Sequence, residues 1–356
     1  MKGANFVKKK IMFFLVLVIA ILTCTSCKKQ TPSVNNSSSN EEDVSNQIQL
    51  LRTDLKLTQE QMLSRIKAEH IKENKGYLDS DEIIILITLP DDALIDIYNE
   101  SSAHYLKSVS DYATTSKGKK QSQLILAKQN ALIDELNEKG LITSVEYQYT
   151  TIMNAIAVKT TYGNFKKISN LASVSETIIA ETYNLPQEAS GTDVSAIENN
   201  VDVYDTGIFN SSSVSYTGEG TAVAVLDSGF DCSHSVFQNL PNTAMITEAD
   251  VIEILNQTIA AQFTNNLKLS DVYYSKKIPF AYDYADKDSD VFPYDSEHGT
   301  HVAGIIGGQD EEITGVAVNT QLVLLKVFPD LDSGAKTDDI LAALEDAVLL
   351  GVDAIN

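Results

Sequence analysis

Five consecutive apolar residues, Ala222-Val223-Ala224-Val225-Leu226, run straight into Asp227-Ser228-Gly229. A strand with no polar position on either face needs cover on both sides, the condition met in a parallel sheet layered between helices. The downstream pattern agrees. His298–Gly307 reads as a helix, and residues 321–328 (QLVLLKVF) read as a second buried strand. Thr337 reads as the cap of a helix with Asp338 and Asp339 in its first turn and Gly351 as its stop. Residues 352–355 begin a third strand. Strand-helix alternation predicts an α/β parallel sheet covered by helices over residues 220–356, still unfinished at Asn356.

The preceding segment follows a different pattern. Residues 82–89 (EIIILITL) form a β-branched run closed by Pro90, and a polar insertion extends to about Lys120. Residues 121–139 read as a helix with Leu124, Ile125, Leu132 and Leu136 on one face and Gly140 as its stop. Two strands over 141–159, turning near 152–154, a short helix over 165–171 and a last strand over 174–183 complete the order β-α-β-β-α-β. Residues 81–184 are thus expected to form an α+β, ferredoxin-like domain. Residues 185–219, with Pro186, Gly191, Gly207 and Ser211-Ser212-Ser213, read as a linker.

Lys8-Lys9-Lys10 and the apolar run 11–23 have the layout of an export signal, and the run is shorter than the ~20 residues of a spanning helix. Residues 1–27 end in Cys24-Thr25-Ser26-Cys27, which resembles a lipoprotein box with Cys27 as the lipidated residue. A cleaved secretory signal and an uncleaved anchor stand beside that reading. Residues 28–47, rich in Ser and Asn, read as a disordered tether, and 48–80 as a helical segment with Leu51, Leu55, Met62, Leu63 and Ile66 at helical spacing. The expected location is the cell surface or exterior, with membrane anchoring through the N-terminus. A formal charge of −22 argues against nucleic acid as a partner. Of three cysteines, two lie in the signal, so Cys232 has no disulfide partner in the body and reads as a small buried hydrophobe.

Ligand sites in open α/β sheets lie at the carboxyl ends of strands, where Asp227 stands. An Asp-Ser-Gly after a strand is by itself an ordinary turn. The string Glu297-His298-Gly299-Thr300-His301-Val302-Ala303-Gly304 is sharper. It places His298 in the first turn of a helix, suited to a general base, while Gly299, Ala303 and Gly304 allow close packing. His298 and His301 have i, i+3 spacing, but no third metal ligand accompanies them. No metal site is expected there, and His301 and His234 read as structural histidines.

Together these two strings resemble the subtilisin-like serine peptidases (subtilases), whose motifs V-x-D-[ST]-G and H-G-T-H-V-A-G match around Asp227 and His298. The 71-residue separation of the two and the segment KIPFAYDYADKDSD resemble the lactocepin-type cell-envelope proteinases. The resemblance implies that Asp227 orients His298 and that His298 deprotonates a nucleophilic serine. It implies that Ser333, Gly334 and Ala335 form a strand edge that pairs with substrate backbone. Residues 82–183 resemble a subtilase propeptide, an inhibitor and folding chaperone whose final strand leads into the cleft. The implied partners are polypeptide substrates and the chain's own propeptide. No cofactor is required, and calcium is a candidate structural ion for the acidic loop 283–295, which otherwise reads as solvated. The string G-T-S-M-A is missing from the 356 residues, and Ser333 is the sole serine after His301. The expectation is an exported serine endopeptidase, cut off before its nucleophile and inactive as written. The alternatives are a protease inhibitor or folding chaperone, or a surface-binding lipoprotein on a degenerate peptidase scaffold.

Overall fold

The computed structural model describes residues 76–184, except 102–105 and 107, and residues 216–356, except 265, 295, 312, 332 and 333. The expected signal, tether, most of the helical segment, nearly all of the linker, Cys27 and Ser333 lie outside the described residues. The described residues fall into two compact units. In the small one, residues 76–82 with 161–164, Tyr162 N and Gly163 N donate to the carbonyls of Asp81 and Asp79 at 2.9 and 3.0 Å. The elements that follow lie in the large unit, apart from Glu82 at the start of the first strand and residues 161–164.

Its first part begins with β1 (Glu82–Thr88). Where the sequence suggested a polar insertion, the chain forms α1 (Leu94–Glu100), α2 (Val109–Thr114) and the start of α3 (Ser116–Glu138). The polar residues that suggested a loop are partly helix caps: Ser108 Oγ accepts from Asp111 N at 3.1 Å, and Thr115 Oγ1 from Gly118 N at 2.9 Å. On α3, Ile125, Leu132 and Leu136 are buried as expected, but Leu124 is exposed. Next come β2 (Ser144–Tyr149), β3 (Ala155–Thr161), α4 (Tyr162–Ile168) and β4 (Glu176–Ile179). The sheet order β2-β3-β1-β4 is that of the β-α-β-β-α-β arrangement. Buried Gln129 of α3 donates to the Tyr149 carbonyl at 2.7 Å and to Asn154 Oδ1 at 3.0 Å, so the helix holds the β2–β3 turn without an unpaired amide N–H.

The expected last strand is in fact two. After β4 the chain leaves this sheet, and β5 (Thr182–Asn184) pairs antiparallel with β9 (Gly334–Lys336), matching Tyr183 to Ala335 and Asn184 to Gly334.

The second part carries β6 (Ala222–Asp227), β7 (Phe280–Asp283), β8 (Gln321–Lys326) and β10 (Ala354–Ile355) in a parallel sheet of order β10-β6-β8-β7. β7 has no counterpart among the strands expected from the sequence, and its last residue, Asp283, opens the acidic stretch 283–295 that read as a loop. All six residues of β8 are buried, as a strand covered on both faces requires. Three short helices, α5 (Glu248–Ile254), α6 (Ala260–Phe263) and α7 (Leu269–Val272), fill the long stretch before β7. Two longer ones, α8 (His298–Gly307) and α9 (Thr337–Leu350), pack against β6 and β8. Val225, Ala281, Leu322 and Leu324 form one core face with Phe230, Phe237 and Ala303 of α8, and half-buried Cys232 packs against it. Each fully buried leucine or phenylalanine there contributes ~1.5–3 kcal/mol. α9 ends as predicted at Gly351, whose φ of 77° is the left-handed stop that favours glycine. Its N-cap is Lys336, not Thr337. Thr337 is the first helical residue, and its hydroxyl accepts instead from Glu181 N at 2.9 Å, next to the β5–β9 pair.

Candidate active site

Asp227 is the last residue of β6 and His298 the first of α8, so the sheet and the helix each bring one side chain to the carboxyl edge. His298 Nδ1 lies 2.8 Å from Asp227 Oδ1 and 3.0 Å from Oδ2. Asp227 is buried, and its Oδ1 also accepts from Ser228 N at 2.7 Å. A carboxylate fixed in this way holds the proton on Nδ1 and leaves Nε2 as the basic nitrogen.

The local sequence sets this approach. A Cβ on Gly299 would stand 2.9 Å from Asp227 Cβ and 3.1 Å from the Phe230 ring, and would collide with the Gly229 carbonyl. Only glycine lets the start of α8 come this close to the end of β6. Ser228 Oγ joins the two elements, donating to the Ser296 carbonyl at 3.1 Å and accepting from Gly299 N at 3.3 Å. Thr300 Oγ1 accepts from Asp231 N at 2.9 Å. Thus Gly299 and Thr300 of the H-G-T-H string each have a positioning task.

His298 borders a cleft of about 500 Å³ that is also lined by Asp231, His234, Phe292, His301 and Ile305. His301 is exposed along this cleft, so the structural reading fails for it: the ring lies on the solvent face of α8, with no core around it. His234 keeps its structural role, its Nδ1 accepting from Val236 N at 3.3 Å. Cys232 is inert in character, since burial pushes its thiol up to about 12. Gly334 and Ala335 lie on β9, where their backbone faces β5.

Among the described residues, one group of carboxylates, Asp283, Asp286 and Asp330, is close enough to hold a cation. The ammonium of Lys326 already stands among them, 2.7 Å from Asp283, 2.5 Å from Asp330 and 3.9 Å from Asp286. With that charge in place these residues do not fit the calcium suggested for the loop. Burial pushes the Asp283 carboxyl up to about 7, against the pull of Lys326. In the same loop, Asp288 and Asp290 accept from the backbone N–H two residues on, as ordinary turns do.

Sequence reasoning missed a further set of acids. α9 carries Asp339, Glu345 and Asp346 buried against their partners. Glu345 accepts four backbone N–H groups of the β2–β3 turn, from Thr150, Thr151, Ile152 and Met153, at 2.7–3.2 Å. Asp346 accepts from Ile259 N, Ala260 N and the Tyr284 hydroxyl. Two acids within the apolar stretch ILAALEDAVLL were the available signal, because a buried helix position tolerates a carboxylate only with partners.

Residues 218–356 match the model of the subtilase family, Peptidase_S8. The PII-type proteinase of Lactococcus lactis subsp. cremoris is 28% identical over 257 residues, covering 69% of this chain and 12% of that protein. The C5a peptidase of Streptococcus pyogenes serotype M6 is 30% identical over 147 residues, covering 39% of this chain and 12% of that protein. The chain therefore spans a small part of the length of these relatives. A crystal structure of the epidermin leader peptide processing serine protease from Staphylococcus aureus aligns with a TM-score of 0.39 at 15% identity, covering 78% of this chain and 49% of that one. The similarity of this chain to the subtilase family therefore lies in residues 218–356.

Proposed function

We propose that the chain supplies the Asp–His half of a serine endopeptidase triad acting on polypeptides outside the cytoplasm, with residues 82–184 as its pro-region. The observation that carries this reading is the 2.8 Å contact of His298 Nδ1 with buried Asp227, at the carboxyl edge of a parallel sheet. In this reaction Asp227 keeps His298 in one tautomer, and Nε2 takes the proton of a serine hydroxyl as it attacks the peptide carbonyl. No metal or organic cofactor enters these steps. The serine is not supplied by a G-T-S-M-A string within the 356 residues. Export rests on the N-terminal basic and apolar pattern, with Cys27 as the residue for lipidation.

The pairing of β5 with β9 supports the pro-region role. Residues 182–184 occupy the edge where a substrate strand would add, through Gly334 and Ala335. The same observation favours a second reading, in which residues 82–184 act as an inhibitor or folding chaperone without catalysis by the chain itself.

The test is expression of the encoding reading frame to its stop codon, followed by labelling with a serine-directed fluorophosphonate. The endopeptidase reading expects a labelled serine beyond Asn356 and loss of labelling in His298→Ala. A folded product that takes no label overturns it and leaves the inhibitor reading. The 356-residue chain alone is expected to remain unlabelled and not to hydrolyse casein.

A further inference from the structure

Tyr147 on β2 and Asp339 on α9 make a contact that is one proton short. Tyr147 Oη lies 2.6 Å from the Tyr284 carbonyl oxygen and 2.8 Å from Asp339 Oδ1. A phenol has one O–H and donates once, whereas a carbonyl and an ionised carboxylate only accept. If Tyr147 donates to the carbonyl, its remaining lone pairs face a carboxylate at hydrogen-bond distance, which is repulsive. If it donates to the carboxylate, they face the carbonyl at 2.6 Å. Water offers no relief, since Tyr147 is 1% exposed and Asp339 4%.

We propose that Asp339 stands in the folded chain as a carboxylic acid, donating its O–H to Tyr147 Oη while Tyr147 donates to the Tyr284 carbonyl, so that seating residues 82–184 on α9 takes up one proton. This lock is independent of whether residues 82–184 serve as a pro-region. Both contacts of Tyr147 Oη are then hydrogen bonds, and Asp339 adds no second charge beside Asp338.

The surrounding charges agree. From α9 itself, Asp338 is buried beside Asp339, its Oδ1 has no hydrogen-bond partner among the described residues, and Glu345 lies two turns on. Two adjacent buried carboxylates do not both ionise. From β2, Glu146 and Tyr149 face the cluster, and Tyr149 spends its hydroxyl on the Asp338 carbonyl at 2.9 Å. The nearest cations are Lys336 at the start of α9 and Lys287 after β7. Lys287 is already engaged, 2.8 Å from Glu146 and over the rings of Tyr147 and Phe263 at 4.6 and 4.7 Å. Burial, and next the charge of Asp338, push the Asp339 carboxyl well above the ordinary carboxylate range.

The sign follows by linkage. The folded value is raised, so this group's contribution is complete below the ordinary carboxylate range. It is lost by up to tenfold per pH unit as pH rises from that range to the folded value. Residues 82–184 are therefore held more tightly in acid and less tightly in mild alkali.

The test uses infrared spectroscopy on the 356-residue chain at about pH 7.5, above the values near 7 to which burial pushes Asp283 and Asp346. The expected result is a protonated-acid carbonyl stretch that shifts when aspartate is ¹³C-labelled, persists in Asp338→Asn and loses most of its intensity in Asp339→Asn, with Asp283 and Asp346 supplying the remainder. An asparagine donates one N–H to Tyr147 as the acid does. Asp339→Asn should therefore fold and show a pH dependence of amide protection across 144–153 shallower by up to tenfold per pH unit. The absence of any aspartic-acid band in the wild-type chain overturns the proposal even if the variant fails to fold. So does a band of undiminished intensity in Asp339→Asn, or an unchanged slope.

Discussion

Replacing Glu345 by alanine tests how residues 150–153 are held to α9. Two carboxylate oxygens accept four backbone N–H groups, at 2.7 and 3.1 Å on Oε2 and at 2.8 and 3.2 Å on Oε1. A hydrogen bond to a charged acceptor is worth ~1.5–3 kcal/mol, but four to one group are not additive, and water entering the gap recovers part of the loss. The expected cost of Glu345→Ala is about 3–5 kcal/mol, the range for breaking a buried charged network. Glu345→Gln keeps the shape and one oxygen, so about half of that cost is expected. Burial pushes the Glu345 carboxyl up to about 7 from 4.5, against the four donors. Its folded value is raised, so its share of stability is complete below the ordinary carboxylate range and is lost as pH rises through about 7. Glu345→Ala should therefore flatten that part of the stability–pH curve. Urea unfolding followed by tyrosine fluorescence suits a chain with 15 tyrosines and no tryptophan. Hydrogen exchange at 150–153 reads the same interaction locally. A loss under about 1 kcal/mol with unchanged exchange at those four amides would refute the reasoning.

Gly299→Ala should cost about 1–3 kcal/mol, since its Cβ meets Asp227, Phe230 and the Gly229 carbonyl; NMR should show the His298 Nδ1 proton shifted or exchanging faster as the contact to Asp227 opens. Gly334→Val should separate β5 from β9, because any side chain there meets Thr182; amide exchange should accelerate over 182–184 and 334–336 while the parallel sheet keeps its protection. Lys326→Met leaves buried Asp283 without its cation and pushes its carboxyl further up, so the loss should be modest near pH 7 and grow towards about 3–5 kcal/mol as pH rises and Asp283 ionises. That loss should shrink as pH falls below about 7, where Asp283 becomes protonated, so a pH-independent loss in thermal melts would contradict the assignment.

What could be read in the sequence was local. The apolar run ending at Asp227, the helix opened by His298 and the stop at Gly351 all follow from patterns within a few residues. The strand and helix order of residues 82–183 followed from periodicity as well, apart from α1 and α2, whose capping residues resembled a loop. The 2.8 Å Asp227–His298 contact was implied by the family resemblance of the two motifs, and the edge of the parallel sheet is what brings them together.

Tertiary structure alone decided what depends on partners far apart in the chain. No periodicity tells that the strand over 174–183 breaks after Ile179 and gives its last residues to β9. That choice is made by an open backbone edge more than a hundred residues away. A lysine within an apolar strand and acids within an apolar helix signal a need for partners, because buried charge is costly. The sequence does not say which partners, since Asp283, the 150–153 turn and Tyr147 come from other elements. The sequence by itself determined an α/β sheet with an aspartate and a histidine at its edge. The fold determined how the preceding domain is seated on it, because that seating is made of hydrogen bonds whose donors and acceptors meet only once both parts are in place.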